Sequence, residues 1–252
     1  TGNDLQCRHS SIRRAVSQAG ADGLCCRAMD LHVPNPAYIG SQRARAHFRL
    51  AARIASGFVA LLWLIFAIDV LLDIDPGLSG IRPRRWDGIP GIVFAPLVHA
   101  SFAHLVSNTL PLLVLGTALL FLYPRSALRV VPAIYFGTGM AVWLLGRDSV
   151  HFGASGLVYG LVAFVLVAGL LRRDRRAAAA SLLVFFMYGS LAWGLAPIQE
   201  GVSWETHLTA ALIGLALALA LRHFDTAPRK HYAWEGEEER ESGAPSQAGE
   251  DS

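Results

Sequence analysis

Five long stretches of this chain contain no Asp, Glu, Lys or Arg: Gly88 to Pro124, Val130 to Gly146, Ser149 to Leu171, Ala177 to Gln199 and Thr206 to Leu221. A water-soluble fold must interrupt its apolar runs with a polar face every few residues. That pattern is missing, which excludes a soluble globular enzyme. Only 16% of the residues are charged and 53% are hydrophobic, whereas a soluble domain carries about 25% charged residues. A disordered chain needs low hydrophobicity and high net charge. A net charge of +3 over 252 residues is too small and too scattered for a nucleic-acid binder. The chain reads as an all-α polytopic membrane protein whose solvent is the lipid bilayer.

A helix needs about 20 largely apolar residues to cross about 30 Å of hydrocarbon. Six segments qualify: roughly Ile54 to Leu72, His104 to Leu122, Leu128 to Gly146, Ser155 to Leu171, Ala178 to Ala196 and His207 to Leu221. None has the position and cleavage pattern of a signal peptide. Arginines set the orientation. Arg43, Arg45, Arg49 and Arg53 precede span one, Arg125 and Arg129 separate spans two and three, and Arg172, Arg173, Arg175 and Arg176 separate spans four and five. Arg222, Arg229 and Lys230 follow span six, while the opposite loops hold only Arg82, Arg84, Arg85 and Arg147. Both termini are therefore expected in the cytoplasm. The loop from Asp73 to Ala103 is then external, with Pro76, Pro83, Pro90 and Pro96 breaking any continuous helix.

Three regions follow: a polar cytoplasmic segment over 1–50, a six-span membrane domain over 51–222, and an acidic cytoplasmic tail over 223–252 whose composition predicts disorder. Met29 offers an alternative start to a chain that begins with Thr1. Cys7, Cys25 and Cys26 lack metal or disulfide spacing and read as free thiols without a role.

Polar side chains inside spans are costly, so each is a candidate functional residue. Asp69, His104, Asn108, Ser155, Tyr159 and His207 are the exceptions. With the N-terminus inside, spans two, four and six run inward, so His104, Ser155 and His207 open their spans at similar depth near the outer leaflet. His104 and Asn108 share a helix face, as do Ser155 and Tyr159. These residue types suit hydrolysis. A serine hydroxyl becomes nucleophilic when an imidazole takes its proton, and the oxyanion needs donors such as an amide, an imidazole N–H or backbone N–H groups. Ser155 sits in Gly153-Ala154-Ser155-Gly156 at a helix start, where unpaired N–H groups face outward. Taken singly, the glycine-serine string also fits a packing seam, and each polar residue also fits an interhelical contact. Asp69, near the outer end of span one, is expected to reach water or cap the helix end.

Three strings, HASFAHLVSN (99–108), HFGASGLVYGLVAF (151–164) and HLTAALIG (207–214), fall on spans two, four and six. In these the chain resembles the rhomboid family of intramembrane serine proteases, over about residues 52–222. The resemblance implies a six-transmembrane-helix rhomboid-like bundle with Ser155 as nucleophile and His207 as base. It implies Asn108 and His104 in the oxyanion hole, Tyr159 packed on the catalytic histidine, Gly153 and Gly156 as supporting glycines, and a structural His99. It implies no metal or organic cofactor, and transmembrane proteins as substrates. Two positions depart from the family. The usual Trp-Arg pair of the first external loop is replaced by Ile89-Pro90-Gly91, with Arg84-Arg85-Trp86 lying earlier in reversed order. Ala210 stands where the family favours glycine, although small residues persist at Ala210 and Gly214.

His151, four residues before Ser155, is the alternative base. Glu205 and Asp148 are expected to be solvated at the outer edge, leaving a dyad without an acid. The expected activity is a serine endopeptidase of a bacterial plasma membrane, acting near the outer leaflet. A non-catalytic rhomboid-like client binder and a small transporter are the alternatives, and the oligomeric state stays open.

Overall fold

The computed structural model describes residues 42–171, 175–198 and 201–225. Cys7, Cys25, Cys26, Met29, Arg172, Arg173, Arg229, Lys230 and the acidic tail beyond residue 225 lie outside the described residues. Among those described, six long helices follow in order: α1 (Gln42–Leu71), α2 (Phe102–Leu122), α3 (Pro124–Leu145), α4 (Ser155–Leu171), α5 (Arg175–Tyr188, continued as a 3-10 turn over Gly189–Leu195) and α6 (Trp204–Ala220). The helical bundle expected from the charge-free stretches is the observed architecture.

α1 begins at Gln42, well ahead of the apolar run at Ile54 and across the expected region boundary at residue 51. Arginine is a good helix former, so the basic approach to the membrane simply extends the helix. Within α1 only Ala51, Ala55, Val59 and Leu62 are buried. That spacing is a single stripe at helical period, and it lies on α2, where Trp63 Nε1 donates to Thr109 Oγ1 at 3.1 Å. Leu64, Val70 and Leu71 on other faces are exposed, as suits side chains whose neighbours are lipid tails.

Lengths divide the helices. α1, α2, α3 and the stretch Ala177–Leu195 are long and apolar enough to cross a membrane, whereas α4 and α6 are equally apolar but have 17 residues each. At 1.5 Å per residue, 17 residues span about 25 Å, short of the bilayer core. α4 packs against α2, α3, α5 and α6, and ten of its residues are buried. A helix enclosed by its neighbours does not itself have to reach the outer surface. Its N-terminus therefore starts inside the bundle, and that is where Ser155 lies. The core around it is built by Leu105, Leu115, Leu119, Tyr123, Ile134 and Phe164, all fully buried.

The loop between α1 and α2 breaks into short helical turns, Pro76–Ser79, Trp86–Gly88, Gly91–Phe94 and Ala95–Leu97, as its prolines predict. It docks on α3 through the reversed Arg84-Arg85-Trp86 string. Arg84 N donates to the Trp143 carbonyl at 2.8 Å, Arg84 Nη1 to the Gly146 carbonyl at 2.7 Å, and Trp143 Nε1 to the Arg85 carbonyl at 2.9 Å. Gly91 passes so close to Gly80 that a Cβ would lie 2.4 Å from the Gly80 carbonyl oxygen. The loop also makes one isolated antiparallel bridge, Ile81 to His151.

At the opposite end the start of α3 is capped from a distance. Tyr123, its N-cap residue, makes no side-chain capping bond, and Pro124 has no N–H to satisfy. The two following amides are taken by Asp225, beyond the end of α6: its carboxylate accepts from Arg125 N at 3.0 Å, Ser126 N at 2.8 Å and Ser126 Oγ at 2.7 Å. Asp225 is buried, so this part of the expected tail belongs to the packed bundle. Asp225→Ala leaves buried donors unpaired and is expected to cost about 2–3 kcal/mol. A lowered thermal unfolding temperature in detergent is the check, with Asp225→Asn falling between the two.

Candidate active site

The N-terminal ends of α2, α4 and α6 meet around a cavity of about 470 Å3, lined by His104, Asn108, Ser155, Tyr159, Gly194 and His207 among others. Each end is shaped locally. Ser101 caps α2 by accepting from His104 N at 3.2 Å. Before α4, Gly153 adopts φ +111°, a left-handed conformation that favours glycine. A Cβ there would lie 2.6 Å from His104 Cε1, so the missing side chain is also the space that the imidazole of α2 occupies.

Ser155 is the first residue of α4, and its Oγ lies 2.8 Å from His207 Nε2. The other ring nitrogen, Nδ1, lies 2.9 Å from the carbonyl oxygen of Gly194. A carbonyl only accepts, so Nδ1 carries the hydrogen and Nε2 is the bare acceptor facing the serine hydroxyl. Tyr159, one turn along α4, lies flat on the same imidazole with ring centroids 3.9 Å apart and planes at 6°. A Cβ on Gly194 would meet the Tyr159 hydroxyl at 2.0 Å, so a glycine there lets the chain after α5 close over the ring.

Asn108 is buried and donates through Nδ2 to the His104 carbonyl at 3.1 Å; this uses one of its two amide hydrogens. The His104 ring meets His99 edge-on at 5.1 Å between centroids. His99 is buried, and that burial, with His104 beside it, pushes its imidazole down to about 4 against the opposing Leu97 carbonyl. It sits neutral in the wall behind the cavity.

α4 and α6 approach closely to make the Ser155–His207 contact. A Cβ on Gly156 would lie 2.9 Å from Thr206 Cγ2, and one on Gly214 would lie 2.1 Å from the Gly160 carbonyl oxygen. Ala210 is fully buried beside them, so the departure from glycine at that position is accommodated.

Other expectations come out differently. His151 does not face Ser155; its Nδ1 lies 2.6 Å from Ser203 Oγ. Glu205 is not solvated. It is buried, with Oε1 3.5 Å from Arg147 Nε and Oε2 without a hydrogen-bond partner, because the loop after α3 folds back over the start of α6. Asp148 is exposed as expected. Asp69 is half-buried, and one of its oxygens, Oδ2, is shielded without a partner. Gly194 and Ser203 were not legible in the sequence. Gly194 acts through a backbone carbonyl, which any residue possesses, and Ser203 has the sequence context of an ordinary helix-cap serine.

A family model for the rhomboid domain matches residues 86–224. This chain belongs to the rhomboid family. Uncharacterized proteins of Mycobacterium tuberculosis (strain ATCC 25618 / H37Rv) and Mycobacterium bovis are each 39% identical to it over 173 residues, covering 65% of this chain and 72% of theirs. One from Mycobacterium leprae is 38% identical over 173 residues, 65% of this chain and 68% of its own length. Rhomboids are generally intramembrane serine proteases, and the family also contains inactive members. The matched region of this rhomboid takes in His104, Asn108, Ser155, Tyr159 and His207, while α1 lies before it. The chain is a multi-pass membrane protein.

Proposed function

We propose that this rhomboid is an active serine endopeptidase that cleaves transmembrane proteins near the outer face of a bacterial plasma membrane. The observation that carries the reading is the 2.8 Å contact between Ser155 Oγ and His207 Nε2, in the tautomer that the Gly194 carbonyl imposes. A dyad whose base already presents a bare nitrogen to the hydroxyl is ready to accept its proton.

In the proposed reaction His207 Nε2 takes the Ser155 proton as Oγ bonds to the scissile carbonyl carbon. The carbonyl electron pair moves onto oxygen, where the second Asn108 amide hydrogen, the His104 ring and the Ser155 backbone N–H donate to it. The tetrahedral intermediate collapses, the C–N bond breaks, and His207 returns the proton to the leaving amine. A water molecule, deprotonated by the same nitrogen, then hydrolyses the ester and restores the serine. Throughout, Tyr159 and Gly194 keep the ring in one plane, the service an acidic third member performs elsewhere. An unbroken substrate helix hides its own carbonyls, so segments with small or helix-breaking residues near the outer leaflet suit this site. The mechanism draws on side chains, the Ser155 backbone N–H, the Gly194 carbonyl and water. The mycobacterial relatives support a bacterial source.

A fluorophosphonate probe tests the reading directly. Ser155 in the purified chain is expected to be labelled, and Ser155→Ala and His207→Ala to abolish the adduct, as read by mass spectrometry of the modified peptide. An unlabelled Ser155 alongside client peptides bound but uncut would instead make the chain a non-catalytic member, and solute flux surviving Ser155→Ala would point to a transporter.

A further inference from the structure

A second serine–histidine pair lies beside the first. His151 Nδ1 contacts Ser203 Oγ at 2.6 Å. His151 precedes Ser155 by four residues and Ser203 precedes His207 by four, so the two pairs bridge the same 52 positions. The histidine now comes from the α4 side and the serine from the α6 side. Partners fix the direction of each bond. His151 Nε2 lies 3.2 Å from the Arg147 carbonyl oxygen, an acceptor only, so Nε2 carries the hydrogen and Nδ1 accepts from the Ser203 hydroxyl. Ser203 Oγ accepts in turn from the Thr206 hydroxyl, 2.5 Å away. The His151 backbone is held as well, exchanging bonds of 2.8 and 3.0 Å with Ile81. A single buried residue thus ties together the external loop, the end of α3 and the start of α6, immediately ahead of Ser155. Burial pushes its imidazole below the ordinary value, with the Arg147 carbonyl and Glu205 opposing and the Arg147 charge assisting; the neutral ring is the one this bonding pattern uses.

Deeper in the bundle the α4–α6 contact is made by Gly156, Gly160, Ala210 and Gly214. Contacts between small residues permit close approach, yet they have no direction and fix sliding and rotation weakly. A hydrogen bond has both a length and an angle. The His151–Ser203 bond crosses the same junction as the dyad, one step before it on each strand of chain, and supplies the direction that the small-residue seam lacks.

We propose that His151 and Ser203 are positioning residues for the dyad, their hydrogen bond setting the register of α6 against the start of α4 so that His207 Nε2 stays within reach of Ser155. The inference rests on the protease reading. Neither residue is assigned a part in the chemistry: both His151 ring nitrogens are engaged elsewhere, and Ser203, although it lines the cavity, gives its hydrogen to His151.

The test uses the whole 252-residue chain in detergent, with His151→Ala, Ser203→Ala, the double variant and His151→Asn, whose Oδ1 can accept where Nδ1 does. Each alanine variant is expected to slow fluorophosphonate labelling of Ser155 and lower kcat by about tenfold, with KM changed less than about twofold. The double variant is expected to be no slower than the slower single one, because both remove the same bond. His151→Asn is expected to recover to within about threefold of the unmodified chain. Labelling at the unmodified rate in the single variants overturns the inference and leaves the protease reading intact. Additive losses overturn it too, as does an asparagine variant as slow as alanine with the unfolding temperature falling in parallel. Probe attached to Ser203 in Ser155→Ala would make the pair reactive rather than positioning. Absence of labelling in the unmodified chain removes the protease reading, and this role with it.

Discussion

Replacing Ser155 by alanine is expected to lower cleavage of a transmembrane substrate by about 10^4- to 10^6-fold, and His207→Ala by a similar factor. The two losses should not multiply. A serine without its base and a base without its serine both leave only what the oxyanion donors and substrate positioning supply, so the double variant is expected at the level of the worse single one. Asn108 belongs to that remainder: its donor acts on charge that develops after attack and does not activate the nucleophile. The measurement is product formation from a reconstituted substrate, with each variant checked for an unchanged unfolding temperature. Cleavage that persists in Ser155→Ala would sink the assignment of the nucleophile, whatever the histidine variant does.

Gly214→Ala is expected to have the next largest effect, though Gly214 touches no reacting atom. Its Cβ would lie 2.1 Å from the Gly160 carbonyl oxygen, well inside ordinary contact. That oxygen belongs to a helical backbone and cannot rotate away, so α4 and α6 must separate. The Ser155–His207 hydrogen bond, 2.8 Å long, spans the same interface and has little slack before it leaves bonding range. A misplacement of about 1 Å in a catalytic group costs about 100-fold in rate, and the added methyl costs about 1–3 kcal/mol of stability by overpacking. Both the labelling rate of Ser155 and the unfolding temperature should therefore fall. A fully active Gly214→Ala would mean that the interface yields elsewhere and that its closeness is not needed for the dyad.

The polar side chains of the candidate site were legible because the bilayer makes them conspicuous, whereas Gly194 and Ser203, which also line the cavity, were not. His104, Asn108, Ser155 and His207 interrupt charge-free stretches, and their places at the starts of alternate spans put them at one depth. Asp225 and Glu205 show where such reading ends. Both are acidic residues beyond or at span ends, where charge normally meets water, yet both are buried. Asp225 takes the Arg125 and Ser126 amides that Tyr123, before α3, does not cap with its side chain, and the fold brings the chain after α6 to them. Glu205 is covered by the loop that follows α3. Contacts of this kind depend on segments far apart in sequence, and no periodicity announces them.

The sequence by itself determined the solvent, the order of the six long helices among the described residues, and the set of polar residues that could carry chemistry, since all three follow from where apolar runs begin, end and are interrupted. The resemblance implies His207 as the base with His151 as the alternative, but only the tertiary structure shows the contact itself, in which His207 faces Ser155 and His151 does not. His151 is four residues from that serine and His207 is 52 away, so proximity along the chain favours the first. In the bundle His151 is turned away from Ser155 onto Ser203 and the Arg147 carbonyl, while the glycine-lined approach of α6 to α4 delivers His207. Tertiary structure also decided the tautomer, through the Gly194 carbonyl, because a backbone acceptor is available at every residue and only folding aims one at a particular nitrogen.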